Sequence, residues 1–185
     1  MKELYGTEWI LRLYYQISKD SLTWTKLCSL VCNDPNIDIC DAEDNPMYGK
    51  IVNKQLMYEN INKQLKYFIF VGNISKVFPL NWRFLPALDK QVDIILVRDL
   101  DSNITPREVS AYEDFIQSEK HIHIMRDHPD HGVQMLGGTW GAKLDQQFVR
   151  ENFNNSFRKM FKDPIFYTSR RKGGSDQTIL KKYVW

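Results

Sequence analysis

The chain has 185 residues, enough for one domain with a sizeable core, and its 43% apolar and 13% aromatic content exclude a disordered tail or a low-complexity repeat. Its 25 basic and 23 acidic side chains are interspersed and leave a formal net charge of +2, so no basic face for nucleic acid stands out. No run approaches the roughly 20 apolar residues that a membrane-spanning helix needs, and the opening MKELYGTEW lacks the apolar core of a signal peptide, so the compartment stays open.

In chain order, WILRLYYQI (9–17) is rich in β-branched and aromatic residues and predicts a strand, followed by a helix over LTWTKLCSLVC (22–32). The three cysteines, Cys28, Cys32 and Cys40, leave at least one thiol unpaired. A disulfide between two of them stays open, and no histidine nearby completes a zinc set. Residues 33–64 carry Asp34-Pro35, Asn45-Pro46 and Gly49 and read as irregular, with at most a helical segment near Met57. KYFIFVGNI (66–74) is a strand candidate. NWRFLPALD (81–89) is a short helix broken by Pro86, and QVDIILV (91–97) is the strongest strand pattern in the chain.

After that strand, TPREVSAYEDFIQS (105–118) predicts a helix in which Thr105 caps, Pro106 takes the first turn and Glu108 completes a capping box. HIHIM (121–125) alternates as a strand does, with His121 and His123 on one face. DQQFVRENFNNSFRKMF (145–161) spaces Phe148, Phe153, Phe157 and Phe161 as a helical core face, and SDQTILKKYVW (175–185) opens with a cap and continues as a helix. Strands alternating with helices predict an α/β three-layer sandwich with a mostly parallel sheet in a single domain over 1–185. Because the first strand starts almost at Met1 and the last helix runs to Trp185, the chain reads as a fragment.

The chemistry concentrates where the strongest strand ends, at Arg98, Asp99 and Asp101. Buried carboxylates demand a positive partner, and two hard oxygen donors in an Asp-x-Asp spacing suit Mg²⁺ or Mn²⁺ beside phosphate oxygens. Neutralisation of the pair by Arg98 and Arg107 is the plainer alternative. MRDHPDHG (125–132) groups His128 and His131 with Asp127 and Asp130, either as a polar loop at the next strand end or as a metal site. Gly137 and Gly138 allow a close backbone approach or a tight turn. Trp140 can stack on a sugar ring or pack in the core.

VDIILVRDLDSNI (92–104) resembles the Asp-x-Asp segment of GT-A-type glycosyltransferases, in particular family 8, the glycogenin and galactosyltransferase kind. WRFLPALDKQVD (82–93) is similar to their arginine-bearing helix, MLGGTWG (135–141) to their glycine-containing acceptor loop, and GGSDQTILKKY (173–183) to their Asp-Gln turn. A little-characterised glycosyltransferase-like group resembles the chain more closely, through WRFLP, RDLDS, PRE, HIMRDHP, LGG-x-WG and DQ. Members of such families begin with a further strand and continue past the Asp-Gln helix, so the resemblance implies a GT-A-like Rossmann-type fold incomplete at both ends.

What the resemblance implies is a metal-dependent transferase. Asp99 and Asp101 would hold Mn²⁺ or Mg²⁺ and, with Arg83, a nucleotide-sugar donor such as a UDP-sugar. Asp127, His128, Gly137, Gly138 and Trp140 would line the sugar and acceptor pocket, and Asp176 and Gln177 would face the reacting carbon. The acceptor would be a glycan or a protein. Two other readings stand beside it: a non-catalytic relic of the same fold, and a metal-dependent phosphoester hydrolase built on His128 and His131.

Overall fold

A computed structural model describes residues 9–41, 77–99, 101–126, 128–129, 131–168 and 174–185. The chain divides into two compact units, Arg12–Lys76 in one and Met1–Leu11 with Val77–Trp185 in the other. The strand expected over 66–74 and the helical segment near Met57 lie outside the described residues.

The described part of the Arg12–Lys76 unit is a strand–helix–strand run, with β1 (Leu11–Tyr15) starting one residue before it, then α1 (Leu22–Asn33) and β2 (Ile37–Asp41). The two strands form a small parallel sheet. Ser21 caps α1 by accepting from the Trp24 backbone N–H at 3.1 Å. Arg12 Nε donates to Asp38 Oδ2 at 2.8 Å, tying β1 to β2. Strand β2 corrects the expectation of an irregular stretch after Asn33. The turn signals at Asp34 and Pro35 are real, but IDICD (37–41) then has a two-residue alternation that a neighbouring strand makes sufficient. All three cysteines are free.

Among the described residues, the fully buried hydrophobic side chains lie in the second unit. A 3₁₀ helix spans Pro79–Leu88, with Pro86 inside it. An α-helix would set the Pro86 ring against a carbonyl four residues back, whereas the tighter winding stacks every third residue. Trp82, Phe84, Leu85 and Ala87 are buried, while Leu80 and Arg83, three apart, share a side that faces a cleft. Wholly buried Asn81 anchors the segment, its Nδ2 donating to the Phe166 carbonyl at 3.1 Å.

Strand β3 (Ile94–Arg98) buries Ile95 and Val97 and leads into α2 (Pro106–Gln117). Thr105 caps α2 as expected, accepting from the Glu108 N–H at 3.2 Å. The Glu108 carboxylate, however, turns to Arg98, at 3.0 and 3.2 Å. Strand β4 (Ile122–Ile124) follows, then β5 (Thr139–Lys143). The sheet order is β3-β5-β4, with β5 antiparallel to both neighbours. Thus β3 and β4 run the same way through α2, in keeping with the alternation of strands and helices. The mostly parallel sheet expected from sequence is corrected by β5, inserted between them in reverse. Overall the architecture is mixed α/β with two small sheets.

Helix α3 (Gln147–Met160) buries Val149, Phe153, Phe157 and Met160. Phe153 stacks on Trp140 at 6.1 Å and Phe157 meets Phe84 at 6.4 Å. Phe148 is corrected from the expected core face: one residue off the stripe, it is rotated by about 100° and stays 55% exposed, edge-on to His121 at 5.0 Å. Lys143 at the end of β5 donates to the Ile116 carbonyl at 2.9 Å and to that of Ser118, supplying a cation where α2 leaves unpaired acceptors.

The chain then turns through α4 (Ile165–Thr168) into α5 (Ser175–Tyr183). Asp163 governs this corner. Its Oδ1 accepts from the Ile165 N–H at 2.9 Å, and its Oδ2 from Lys182 at 2.7 Å and Tyr183 at 2.8 Å. The Lys182 hydrogen bond first, then those of Ile165 and Tyr183, hold the Asp163 carboxyl down at about 2. Among the described residues, no helix is long and apolar enough to cross a membrane.

Candidate active-site cleft

The antiparallel register of β5 explains how distant segments meet. Arg98 at the end of β3 pairs with Thr139 at the start of β5, so Asp99, just past one strand, lies beside Gly138, just before the other. The 3₁₀ helix contributes Leu80 and Arg83, and the entry of α5 contributes Gly174, Asp176 and Gln177. Together they line a cleft of about 300 Å³ that also takes in Ser102, His131, Leu136 and Thr139.

Arg83 is its electrostatic centre. One guanidinium nitrogen, Nη1, donates to Asp99 Oδ1 at 2.7 Å and lies 3.8 Å from Asp176 Oδ2. The positive partner demanded by the acidic strand end is therefore Arg83. Arg98, the neutralising partner weighed from sequence, is engaged with Glu108 and with the Ser102 carbonyl at 2.9 Å, and so braces the turn after β3.

Gly137 and Gly138 seat the two carboxylates. A Cβ at Gly138 would collide with the Asp99 carboxylate, and one at Gly137 with that of Asp176. The missing side chains make room for the site's own acids, a use of glycine that spacing alone does not show. Gly174, at φ 84°, takes the left-handed conformation that opens α5. This sets Asp176 in the first helical turn, where the N-terminal dipole favours a carboxylate, and its Oδ1 accepts from the Gln177 N–H at 3.0 Å.

Of the residues expected from sequence, Arg83, Asp99, Gly137, Gly138, Asp176 and Gln177 line this one cleft. Asp101 does not. It is exposed in the turn after β3 and lies outside the cleft lining. Trp140 is also corrected as a sugar-stacking residue. Alternation along β5 turns Thr139 to the cleft and Trp140 to the core, where it is 1% exposed against Phe84 at 6.0 Å. His128 is exposed, its ring 5.3 Å from that of His131, and it is His131 that lines the cleft. Asp127 lies outside the described residues.

Sequence reasoning passed over Leu80, Ser102, Leu136, Thr139 and Gly174. For Leu80 a signal existed, since it stands three residues before Arg83 in a proline-bearing segment. Among the described residues, no three histidine, cysteine or acidic side chains converge as metal ligands. Asp99 and Asp176 are nonetheless donors of the kind that Mg²⁺ and Mn²⁺ prefer, with Arg83 standing beside both. No family model, curated protein or solved structure matches the chain.

Proposed function

We propose that the cleft binds a nucleotide-sugar donor, a UDP-sugar, with Mn²⁺ or Mg²⁺, and transfers the sugar to a glycan or protein acceptor. The observation that carries the reading is convergence. Four segments that resemble glycosyltransferase donor-site blocks, separated by up to about ninety residues, contribute Arg83, Asp99, Gly137 with Gly138, and Asp176 with Gln177 to one cleft.

The chemistry follows from charge. Departure of a sugar leaves a diphosphate with added negative charge, and Arg83 is a guanidinium suited to pair with phosphate oxygens. A divalent cation, when bound, would supply Lewis-acid stabilisation of that leaving group. Asp99 would hold it from within the cleft, and Asp101 would join it from the turn after β3. Asp176 and Gln177 stand where a carboxylate and an amide can orient an acceptor hydroxyl or steady the sugar during transfer. Gly137, having no side chain, leaves the Asp176 carboxylate room against the backbone.

Calorimetry of UDP binding in the presence of Mn²⁺ tests this. Wild type binds. Asp99→Ala weakens binding at least about tenfold through loss of a charge-assisted contact, and Asp101→Ala measures whether the neighbouring acid is recruited. Absence of UDP binding by the wild type, or full binding by Asp99→Ala, rejects the proposal. Hydrolysis of UDP-sugar with Mn²⁺, abolished by EDTA, separates a transferase from a non-catalytic relic. Cleavage of simple phosphate esters would point to a hydrolase.

A further inference from the structure

Asp99 and Asp176 are drawn to one nitrogen of one arginine, at 2.7 and 3.8 Å, and each carboxylate sits against a glycine where a Cβ would collide with it. Arg83 itself issues from a 3₁₀ helix in which its neighbours Trp82, Phe84 and Leu85 are core-bound. Its backbone is thus fixed, while its long side chain reaches across the cleft. In this arrangement the guanidinium neutralises the acids that a divalent cation would use.

A divalent cation approaching Asp99 meets two obstacles, the engagement of one of its two oxygens, Oδ1, by Arg83 and the repulsion of that neighbouring positive charge. A diphosphate removes both. It offers Arg83 oxygen acceptors in the paired geometry that guanidinium prefers, and it adds negative charge beside the incoming metal.

We propose that Arg83 is a resident counter-cation that competes with divalent metal for Asp99, so that cation and diphosphate enter the cleft together. This rests on the reading of the cleft as a nucleotide-sugar site, and it deepens that reading by assigning the order of events. Metal alone binds weakly, and the anion draws Arg83 away and frees Asp99 Oδ1, so that both oxygens can serve the cation. A swing of one side chain couples the two ligands, each raising the affinity for the other by the same factor.

Titration of Mn²⁺ alone into the whole chain, followed by electron paramagnetic resonance, tests the competition without any turnover. Arg83→Met is expected to bind Mn²⁺ about fivefold tighter than wild type, the scale of losing a partly exposed ion-pair competitor. Arg83→Lys, which keeps the charge, stays near wild type, and Asp99→Asn placed in the Arg83→Met background removes the gain. Arg83→Gln serves in place of the methionine variant if circular dichroism shows that one unfolded, with the same gain expected. Equal Mn²⁺ affinity in wild type and the folded neutral variant overturns the competition, even where UDP binds. A gain in the neutral variant without any UDP binding keeps Arg83 as competitor and removes the nucleotide-sugar reading instead.

Discussion

Two aspartates in the same unit each meet a basic side chain at 2.7 Å, Asp163 with Lys182 and Asp99 with Arg83. The ion-pair distance does not tell them apart; their surroundings do. The Asp163 side chain is 6% exposed, and both its oxygens accept hydrogen bonds from three groups that lock the α4–α5 corner. The Asp99 side chain is 46% exposed at a cleft, and among the described residues Arg83 is the donor to its carboxylate. A buried carboxylate with both oxygens engaged by the chain's own donors is part of the frame. One with open positions beside a cleft is available to a ligand.

Replacing each acid breaks the comparison from both sides. Asp163→Ala is expected to lose about 1–2 kcal/mol in urea denaturation, because the three hydrogen bonds that its carboxylate accepts disappear from the corner. UDP and Mn²⁺ binding per folded molecule should be retained. Asp99→Asn should reverse the pattern, with stability within about 1 kcal/mol of wild type, the range of partly exposed ion pairs, and ligand binding lost. Equal stability losses in the two variants would erase the distinction between frame and site.

The same contrast has a pH form. Asp163 titrates at about 2 in the folded chain against an ordinary value of 3.8. Its contribution is therefore fully present above about pH 4 and is lost as pH falls from there through 2, where the unfolded chain binds the proton more readily. Stability measured over that window should fall less steeply in Asp163→Asn than in wild type.

Gly138→Ala sharpens the comparison on the cleft side. The new methyl falls on the Asp99 carboxylate, so Asp99 or the start of β5 must shift. A stability loss of about 1 kcal/mol is expected, with a much larger loss of UDP affinity. Gly137→Ala should act the same way through Asp176. By contrast, Gly132 has open space around a built Cβ, and Gly132→Ala should leave binding unchanged.

How much of this was legible beforehand follows the range of the forces involved. Strand β3, the Thr105 cap and the Phe153–Phe157 stripe rest on local patterns and stand where the sequence puts them. Strand β5 does not, because TWGAK (139–143) follows two strand formers, Thr139 and Trp140, with three residues that disfavour strands, and is held by neighbours on both sides. Missing β5 also hid which way Trp140 points, since its face is set by register against Val97 and Ile124. The acids and glycines of the cleft were legible in kind. That Asp176 rather than Asp101 accompanies Asp99 depends on how the α5 entry docks, which no spacing encodes. Likewise, the choice of His131 over its neighbour His128 is made by the loop's tertiary path.

His123 supplies the smallest expected effect and a control for the others, because it lies outside the cleft lining. It sits on β4 with its ring stacked on Phe115 at 5.3 Å, and burial lowers its pKa below 6.5 against a weaker opposing pull from Glu108. The folded chain thus prefers the neutral ring, and in the window just below pH 6.5 the unfolded chain binds more protons. Stability should fall as pH drops through 6.5 and recover above it. His123→Phe, which keeps a ring against Phe115 and cannot titrate, should flatten that slope. The affinity for UDP and Mn²⁺ at fixed pH should stay the same in this variant. If His123→Phe weakened ligand binding as strongly as Gly138→Ala, the stacked Phe115 face would have to be counted with the cleft, and the line drawn between frame and site would move.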